Sequence, residues 1–348
     1  MTNAFVKVER WTRVSIVATG GSLLVLAALA LLPFATGSAV LDKFTTLFIY
    51  VILAATWNAL AGYGGLVSIG QQAFFGLGAY FTIRLSDYGV NAYLAAFASP
   101  VIVGLLAWPI SWPMLRLRAG EFAIGMWVLA ELFHLLVNLD PLIQGETGTS
   151  LIALNAYDAS TRNALTFWTA LVALAAVLAI LFILLRSQVG AGLQAIRDNE
   201  EAAASIGIRV ASTKQIIFVF AAAGAAIAGA LWLATAISFQ PKTYFSVQWT
   251  SYMIFMVLVG GLATFEGAIL GAIIFFVIEA SFGAAGVWYL IGLGAVALVM
   301  SLAMPRGLFG TFVATTGVRL LPIGHWLRPS ASNSKLLDAS ASLKEDIR

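Results

Sequence analysis

Leu165-Thr-Phe-Trp-Thr-Ala-Leu-Val-Ala-Leu-Ala-Ala-Val-Leu-Ala-Ile-Leu-Phe-Ile-Leu-Leu185 is a run of 21 residues with no charge, no glycine and no proline, closed by Arg186. As an α-helix it rises about 1.5 Å per residue and so spans a hydrocarbon core about 30 Å thick. Apolar runs of the same character fall at roughly 14–34, 44–61, 66–83, 93–115, 122–139, 215–237, 250–264, 267–284 and 287–304. The 348 residues are 61% hydrophobic and only 10% charged, with a mean hydropathy of +0.94. Soluble domains carry about 25% charged residues, so the excess apolar surface has to face lipid. The runs are continuous, whereas the strands of a membrane barrel alternate. The sequence therefore predicts an all-α fold, a polytopic transmembrane helical bundle of about ten spans. The split around Gly260, Gly261 and Glu266 admits a second reading, one long span with a re-entrant piece.

Charge sets the orientation. With ten spans and both termini cytoplasmic, 15 of the 19 Lys and Arg residues lie inside, and only Lys43, Arg84, Arg162 and Lys242 lie outside, as the positive-inside rule requires. The first run, from Val14 to Phe34, is longer than the 7–15-residue core of a signal peptide and is read as an uncleaved span. Residues 1–305 are expected to form one transmembrane domain, and 306–348 a cytoplasmic tail, partly disordered because its end is rich in Ser and charge. There are no cysteines, which excludes disulfides, thiolate metal sites and cysteine nucleophiles. His134 and His325 are too few for a histidine-rich metal site. No Lys follows a Gly, so the phosphate-cradling loop of a nucleotide-binding site is absent.

Two connections are substantial. Asp140 to Asn163 is polar and expected outside. The inner one, 187–214, is unlike the rest of the chain. From Leu193 to Ile206 it is rich in helix formers, and Gly207 suits a left-handed helix end. Leu193, Ile196 and Ala203 can share one face, with Arg197, Asp198, Glu200 and Glu201 elsewhere. On the residues alone this is either a surface linker helix or a docking helix.

Ala195-Ile-Arg-Asp-Asn-Glu-Glu-Ala-Ala-Ala-Ser-Ile-Gly-Ile208 closely resembles the cytoplasmic loop of the LivM/LivH-type permeases of branched-chain amino acid ABC importers. Three further stretches resemble the same family in the same order. Gly64-Gly-Leu-Val-Ser-Ile-Gly-Gln-Gln-Ala-Phe-Phe-Gly-Leu-Gly-Ala-Tyr80 is similar to its N-terminal signature. Arg116-Leu-Arg-Ala-Gly-Glu-Phe-Ala-Ile124 is similar to a stretch of the LivM-type members. Val259-Gly-Gly-Leu-Ala-Thr-Phe-Glu-Gly-Ala-Ile-Leu-Gly-Ala272 is similar to its late glycine-rich motif. The chain departs from the pattern at Ala263 and Ala268, where Gly and Pro are usual, and in the external loop Gln144-Gly-Glu-Thr-Gly-Thr-Ser-Leu151.

The resemblance implies a permease subunit of the bacterial inner membrane. It implies passage of branched-chain or related small amino acids into the cytoplasm, with urea or short amides as alternative cargo. The implied partners are two ABC ATPase subunits, a homologous second permease and a periplasmic solute-binding protein. ATP would be used by the partners, with no cofactor and no nucleic acid on this chain. The loop would dock in the ATPase through Arg197, Asp198, Asn199, Glu200, Ala202, Ala203 and Gly207, whose small residues allow close approach and whose charges give register.

Polar residues inside apolar runs are candidates in their own right. Ser68, Gln71 and Gln72 either bond across helices or face a translocation path. Glu131 and His134, three apart on one helix face, suit proton coupling, a structural pair or a path lining, and Glu279 lies inside another span. An ion-coupled secondary transporter built on Glu131, His134 and Glu279 is therefore the rival reading. An enzyme is not expected, since no catalytic set converges. Gly76, Gly78, Gly260, Gly261, Gly267 and Gly271 are read as close-packing positions, and Trp108, Trp112, Trp168, Trp249 and Trp288 as an interfacial belt.

Overall fold

The structure is a computed structural model and describes residues 7–9, 13–316, 321 and 326–328. It divides into two units. One comprises residues 1–24 and 318–348, the other 25–317. In the first unit, β1 (Lys7–Glu9) pairs antiparallel with β4 (Trp326–Arg328), Val8 opposite Leu327. Beyond Thr316, the expectation of a disordered tail lies almost wholly outside the described residues.

Ten helices occupy the ten apolar runs. They are α1 (Arg13–Ala30), α2 (Ser38–Asn58), α3 (Gln72–Asp87), α4 (Ala92–Met114), α5 (Ala119–Asn138), α6 (Ala159–Arg186), α9 (Val210–Ala236), α11 (Val247–Gly260), α12 (Phe265–Phe282) and α13 (Val287–Ala303). Short helices α7 (Gln188–Asp198) and α8 (Glu200–Ser205) lie between α6 and α9. Helix α10 (Pro241–Tyr244) precedes α11, and α14 (Gly307–Thr316) follows α13. A two-residue ribbon joins β2 (Thr149–Ser150) to β3 (Ser238–Phe239).

Among the described residues, eight helical stretches are long and apolar enough to cross a membrane by themselves. The other two runs hold α3 and α11, of 16 and 14 residues. Glycine accounts for both. The run at 66–83 gives up Leu66–Gly70 to irregular backbone before α3 begins. The run at 250–284 divides at Gly261, at φ 137°, and Ala263, at φ 58°. Helices α11 and α12 then fold back on each other, with Gly260 against Gly267 and Gly271 against Met256. Of the two, α12 is long and apolar enough to cross a membrane and the shorter α11 is not, an arrangement in keeping with the second reading of one long span with a re-entrant piece.

Helix α2 forms the centre. Every residue from Phe48 to Asn58 is buried, and its last turn widens into a π-helix over Ala59–Tyr63. Around it, α3 and α9 approach to backbone contact. A Cβ on Gly78 would collide with the Ala226 carbonyl, one on Gly229 with the Phe75 carbonyl, and one on Gly224 with the Thr56 side chain. Small residues drive such packing in lipid, where apolar side chains gain nothing from leaving their surroundings. The outer surface is the converse: Leu105, Trp112 and Leu302 are exposed, as lipid-facing residues are. Helix α14 packs on α11 and α12, so the bundle extends beyond residue 305. Trp249 departs from the expected belt: it is buried, with its ring 4.2 Å from that of Phe75.

The Gly78→Ala variant is expected to destabilise the bundle by about 1–3 kcal/mol through overpacking. Gly120→Ala, in open space near the start of α5, serves as the neutral control. The thermal midpoint of each in detergent checks the difference; equal midpoints contradict the packing account.

Candidate functional site

The connection between α6 and α9 is two helices rather than one. Ser187 starts α7, its hydroxyl accepting from Val189 N–H. At Asn199 the backbone is extended, with φ −160° and ψ 108°, and its side chain caps α8 by accepting from Ala202 N–H at 3.0 Å. Asn and Asp at such positions compete with helical hydrogen bonding and stop one helix while starting the next. Gly207 stands at φ 88°, the left-handed end expected of it. Lys214 Nζ bonds Glu200 at 2.7 Å and ties α8 to the start of α9.

Of the seven loop candidates, Arg197, Asp198, Asn199, Glu200, Ala202 and Gly207 are exposed. Ala203 is buried with Leu193 and Ile196. Arg197 also reaches back to the bundle: its Nη1 donates to the Gly62 carbonyl at 2.9 Å, while Nε and Nη2 donate to Asp198 at 3.1 and 3.0 Å. Ile206, which the sequence reading passed over, stands 77% exposed beside the acidic residues. An isolated apolar residue in the last turn of a polar helix was its signal.

Gly62 lies in the π-helical turn that ends α2, and close to it is the break between α11 and α12. Asn58 spans that break. Its Nδ2 donates to the Thr264 carbonyl at 2.8 Å, and its Oδ1 accepts from Ala263 N–H at 2.9 Å. A Cβ on Gly62 would strike the Asn58 side chain and the Ala263 backbone. The chain Asp198–Arg197–Gly62–Asn58–Ala263 thus joins the inter-helix loop to the buried junction through direct contacts.

The polar set at the head of α3 is buried throughout. The Ser68 carbonyl accepts from Trp57 Nε1 at 3.0 Å, and its hydroxyl oxygen accepts from Gly70 N–H at 3.3 Å. Gln72 Oε1 accepts from the Thr250 hydroxyl, joining the two short helices α3 and α11. Gln71 is fully buried, yet neither its Nε2 nor its Oε1 has a hydrogen-bond partner.

Glu131 and His134 belong to another place, the far end of the bundle. His134 Nδ1 lies 3.2 Å from Glu131 and Nε2 lies 2.7 Å from Glu146, while the ring stacks on Phe245. Glu146 also accepts from Asn138 Nδ2 at 2.6 Å and from Lys242 N–H at 3.0 Å. It therefore ties α5, its following loop and α10 together. Burial raises the Glu146 carboxyl, but the bonds from Asn138 and Lys242 and the neighbouring His134 outweigh it and hold it below the ordinary carboxylate value. Nearby, Asp140 takes a bidentate pair from Arg84 and a bond from Tyr80 at 2.7 Å. Burial raises Asp140 as well, and these bonds with that from Leu142 N–H more than offset it. Glu131 is 58% exposed at its side chain; on α12, the Glu279 carboxylate accepts from Tyr50 OH at 2.6 Å.

This architecture is that of a multi-pass α-helical membrane protein. The family model for the branched-chain amino acid transport system permease component matches residues 39–314, and the chain belongs to that family of transport subunits, which are not themselves enzymes. It is similar to the high-affinity branched-chain amino acid transport system permease protein LivM of Escherichia coli K12, with 26% identity over 303 residues, 79% of this chain and 71% of that one. The LivM protein of Salmonella typhimurium LT2 is 25% identical over the same shares. Among solved structures, an inward-facing ABC transporter of metal-chelate type is similar at 16% identity and TM-score 0.43, over 86% of this chain and 99% of that one. A likeness of that size transfers no residue role.

Asn58→Ala is expected to leave Ala263 N–H and Thr264 C=O unpaired in the interior. Each unsatisfied group costs about 1–3 kcal/mol. Thermal unfolding in detergent should show a lowered midpoint, and an unchanged one would contradict the clamp.

Proposed function

We propose that this chain is the membrane-spanning permease subunit of an ABC importer that moves branched-chain or related small amino acids into the cytoplasm. It works with two ATPase subunits, a homologous second permease and a periplasmic solute-binding protein. The observation that carries the reading is the α7–α8 element. Asp198, Glu200, Ala202 and Ile206 are all exposed on this element, acidic residues together with one large apolar side chain, a composition suited to docking in a cleft. Arg197 joins the same element to Gly62, and so to the α11–α12 junction held by Asn58. A push on α7–α8 then reaches the bundle as a rigid-body displacement.

In this reading Arg197 acts within the chain, and the docking contacts fall to Asp198, Asn199, Glu200, Ala202, Ile206 and Gly207. Residues 187–214 lie on the cytoplasmic side, in keeping with the charge bias of the loops. The amino acid cargo is supported by the family and its LivM relatives. Ser68 and Gln72 serve the fold through their bonds to Gly70 and Thr250. The Glu131–His134–Glu146 cluster fastens the outer loop, which leaves the ion-coupled rival without a continuous titratable path.

Glu201→Lys with Ile206→Glu alters exposed positions only. The doubly substituted chain is expected to insert and to keep its thermal midpoint. Its affinity for the ATPase subunits should fall about tenfold or more, which is about 1.4 kcal/mol or more, and ATP-dependent uptake should fall with it. Normal co-purification and uptake would overturn the docking assignment.

A further inference from the structure

We infer that the head of α3 holds the α-amino acid head group during passage, with the Gln71 amide as its principal contact; this rests on the transport reading above. Helix α3 starts inside the bundle, because Leu66–Gly70 is irregular and α3 begins only at Gln72. Gly70 sits so close to α5 that a Cβ would collide with the Met126 carbonyl. This irregular segment has two sides. Leu66, Ser68 and Gly70 are buried, whereas Val67 is 50% exposed and marks an open edge. Irregular backbone at membrane depth is tolerated where protein covers it or where it borders a cavity.

Three polar side chains meet here, and two are committed to the fold. Ser68 serves Gly70 N–H, and Gln72 serves Thr250. Gln71 alone keeps its whole amide unpaired, although it is fully buried. An unsatisfied buried group costs about 1–3 kcal/mol, so an apolar residue would make a more stable bundle. The amide is explained if a ligand pairs with it in another state of the transport cycle.

The chemistry of the vacant groups selects the ligand. Nε2 offers donors and Oε1 offers an acceptor. A zwitterion presents the complement from a single carbon: a carboxylate for Nε2 and an ammonium for Oε1. The N-terminal end of α3 carries partial positive charge and favours the carboxylate. Interrupted helices whose N-termini meet an anionic substrate group near mid-membrane use the same electrostatics. An uncharged amide or urea gains the hydrogen bonds without the dipole term.

The test uses the complete transporter in proteoliposomes, with radiolabelled leucine and leucinamide as probes. Gln71→Leu removes the amide and leaves an apolar side chain of similar volume. It is expected to keep or raise the thermal midpoint and to keep ATPase association, while leucine uptake falls at least tenfold in kcat/KM. Gln71→Glu places a negative charge against the carboxylate, and is expected to depress leucine uptake more than leucinamide uptake. Unchanged leucine uptake by Gln71→Leu overturns the inference. So does a lowered thermal midpoint, which would mean that the amide serves the fold through ordered water. An equal effect of Gln71→Glu on both probes overturns the carboxylate assignment. The wild-type transporter separates the two levels: its failure to take up leucine with ATP sinks the transport reading, whereas normal wild-type uptake confines any failure to Gln71.

Discussion

Hydrocarbon offers no hydrogen-bond partner, so every interruption of a membrane helix has to be satisfied from within the protein. Asn58 meets this condition at the deepest interruption. One side chain, 1% exposed, supplies a donor to Thr264 and an acceptor to Ala263 at the turn between α11 and α12. Without it, two backbone groups would stand open beside the most buried helix of the bundle. The π-helical turn after Asn58 depends on the same logic, since π-turns in helices mark places where regular bonding is relaxed, often at functional positions. The Gly62 carbonyl in that turn takes its bond from Arg197. Asn58 and Arg197 therefore meet at one node, where the central helix, the late hairpin and the α7–α8 loop come together.

That node gives the proposed mechanism its physical form. Packed interiors move as blocks and resist continuous deformation. Helix α7 is anchored through Leu193 and Ile196, α8 through Ala203, and both are pinned at their junction by Arg197. Displacement of this pair by an ATPase would load the α2 end and the α11–α12 turn together. The head of α3, which begins eight residues after Gly64 along the same chain, shares α11 with that turn through Gln72 and Thr250. The proposed substrate contact and the proposed docking face are thus linked through helices, with no charged relay between them.

Much of this was legible in the sequence, and the exceptions share a cause. The helical class and the positions of ten helices follow from apolar runs, because lipid imposes its demand on every residue of a span. Gly207 and the buried trio Leu193, Ile196 and Ala203 were readable from local rules. The break at Asn199 was not read, although an Asn followed by two Glu is a helix-start pattern. Residues such as Asn58, Glu146 and Trp249 act through partners far along the chain, and periodicity carries no information about such pairs. The bond from Arg197 to the Gly62 carbonyl belongs with them, since its partner lies 135 residues away in the sequence. Ser68, Gln71 and Gln72 were marked as unusual, but only the hydrogen-bond partners separate the two that hold the fold from the one left open.

The central claim is that transport by this chain is driven by movement of a partner and not by an ion gradient across the chain itself. The direct measurement is leucine uptake into proteoliposomes holding either this chain alone under an imposed proton gradient, or the chain with its second permease, ATPase subunits, binding protein and ATP. The account predicts no uptake in the first case and ATP-dependent uptake in the second. Gradient-driven uptake by the chain alone would contradict it.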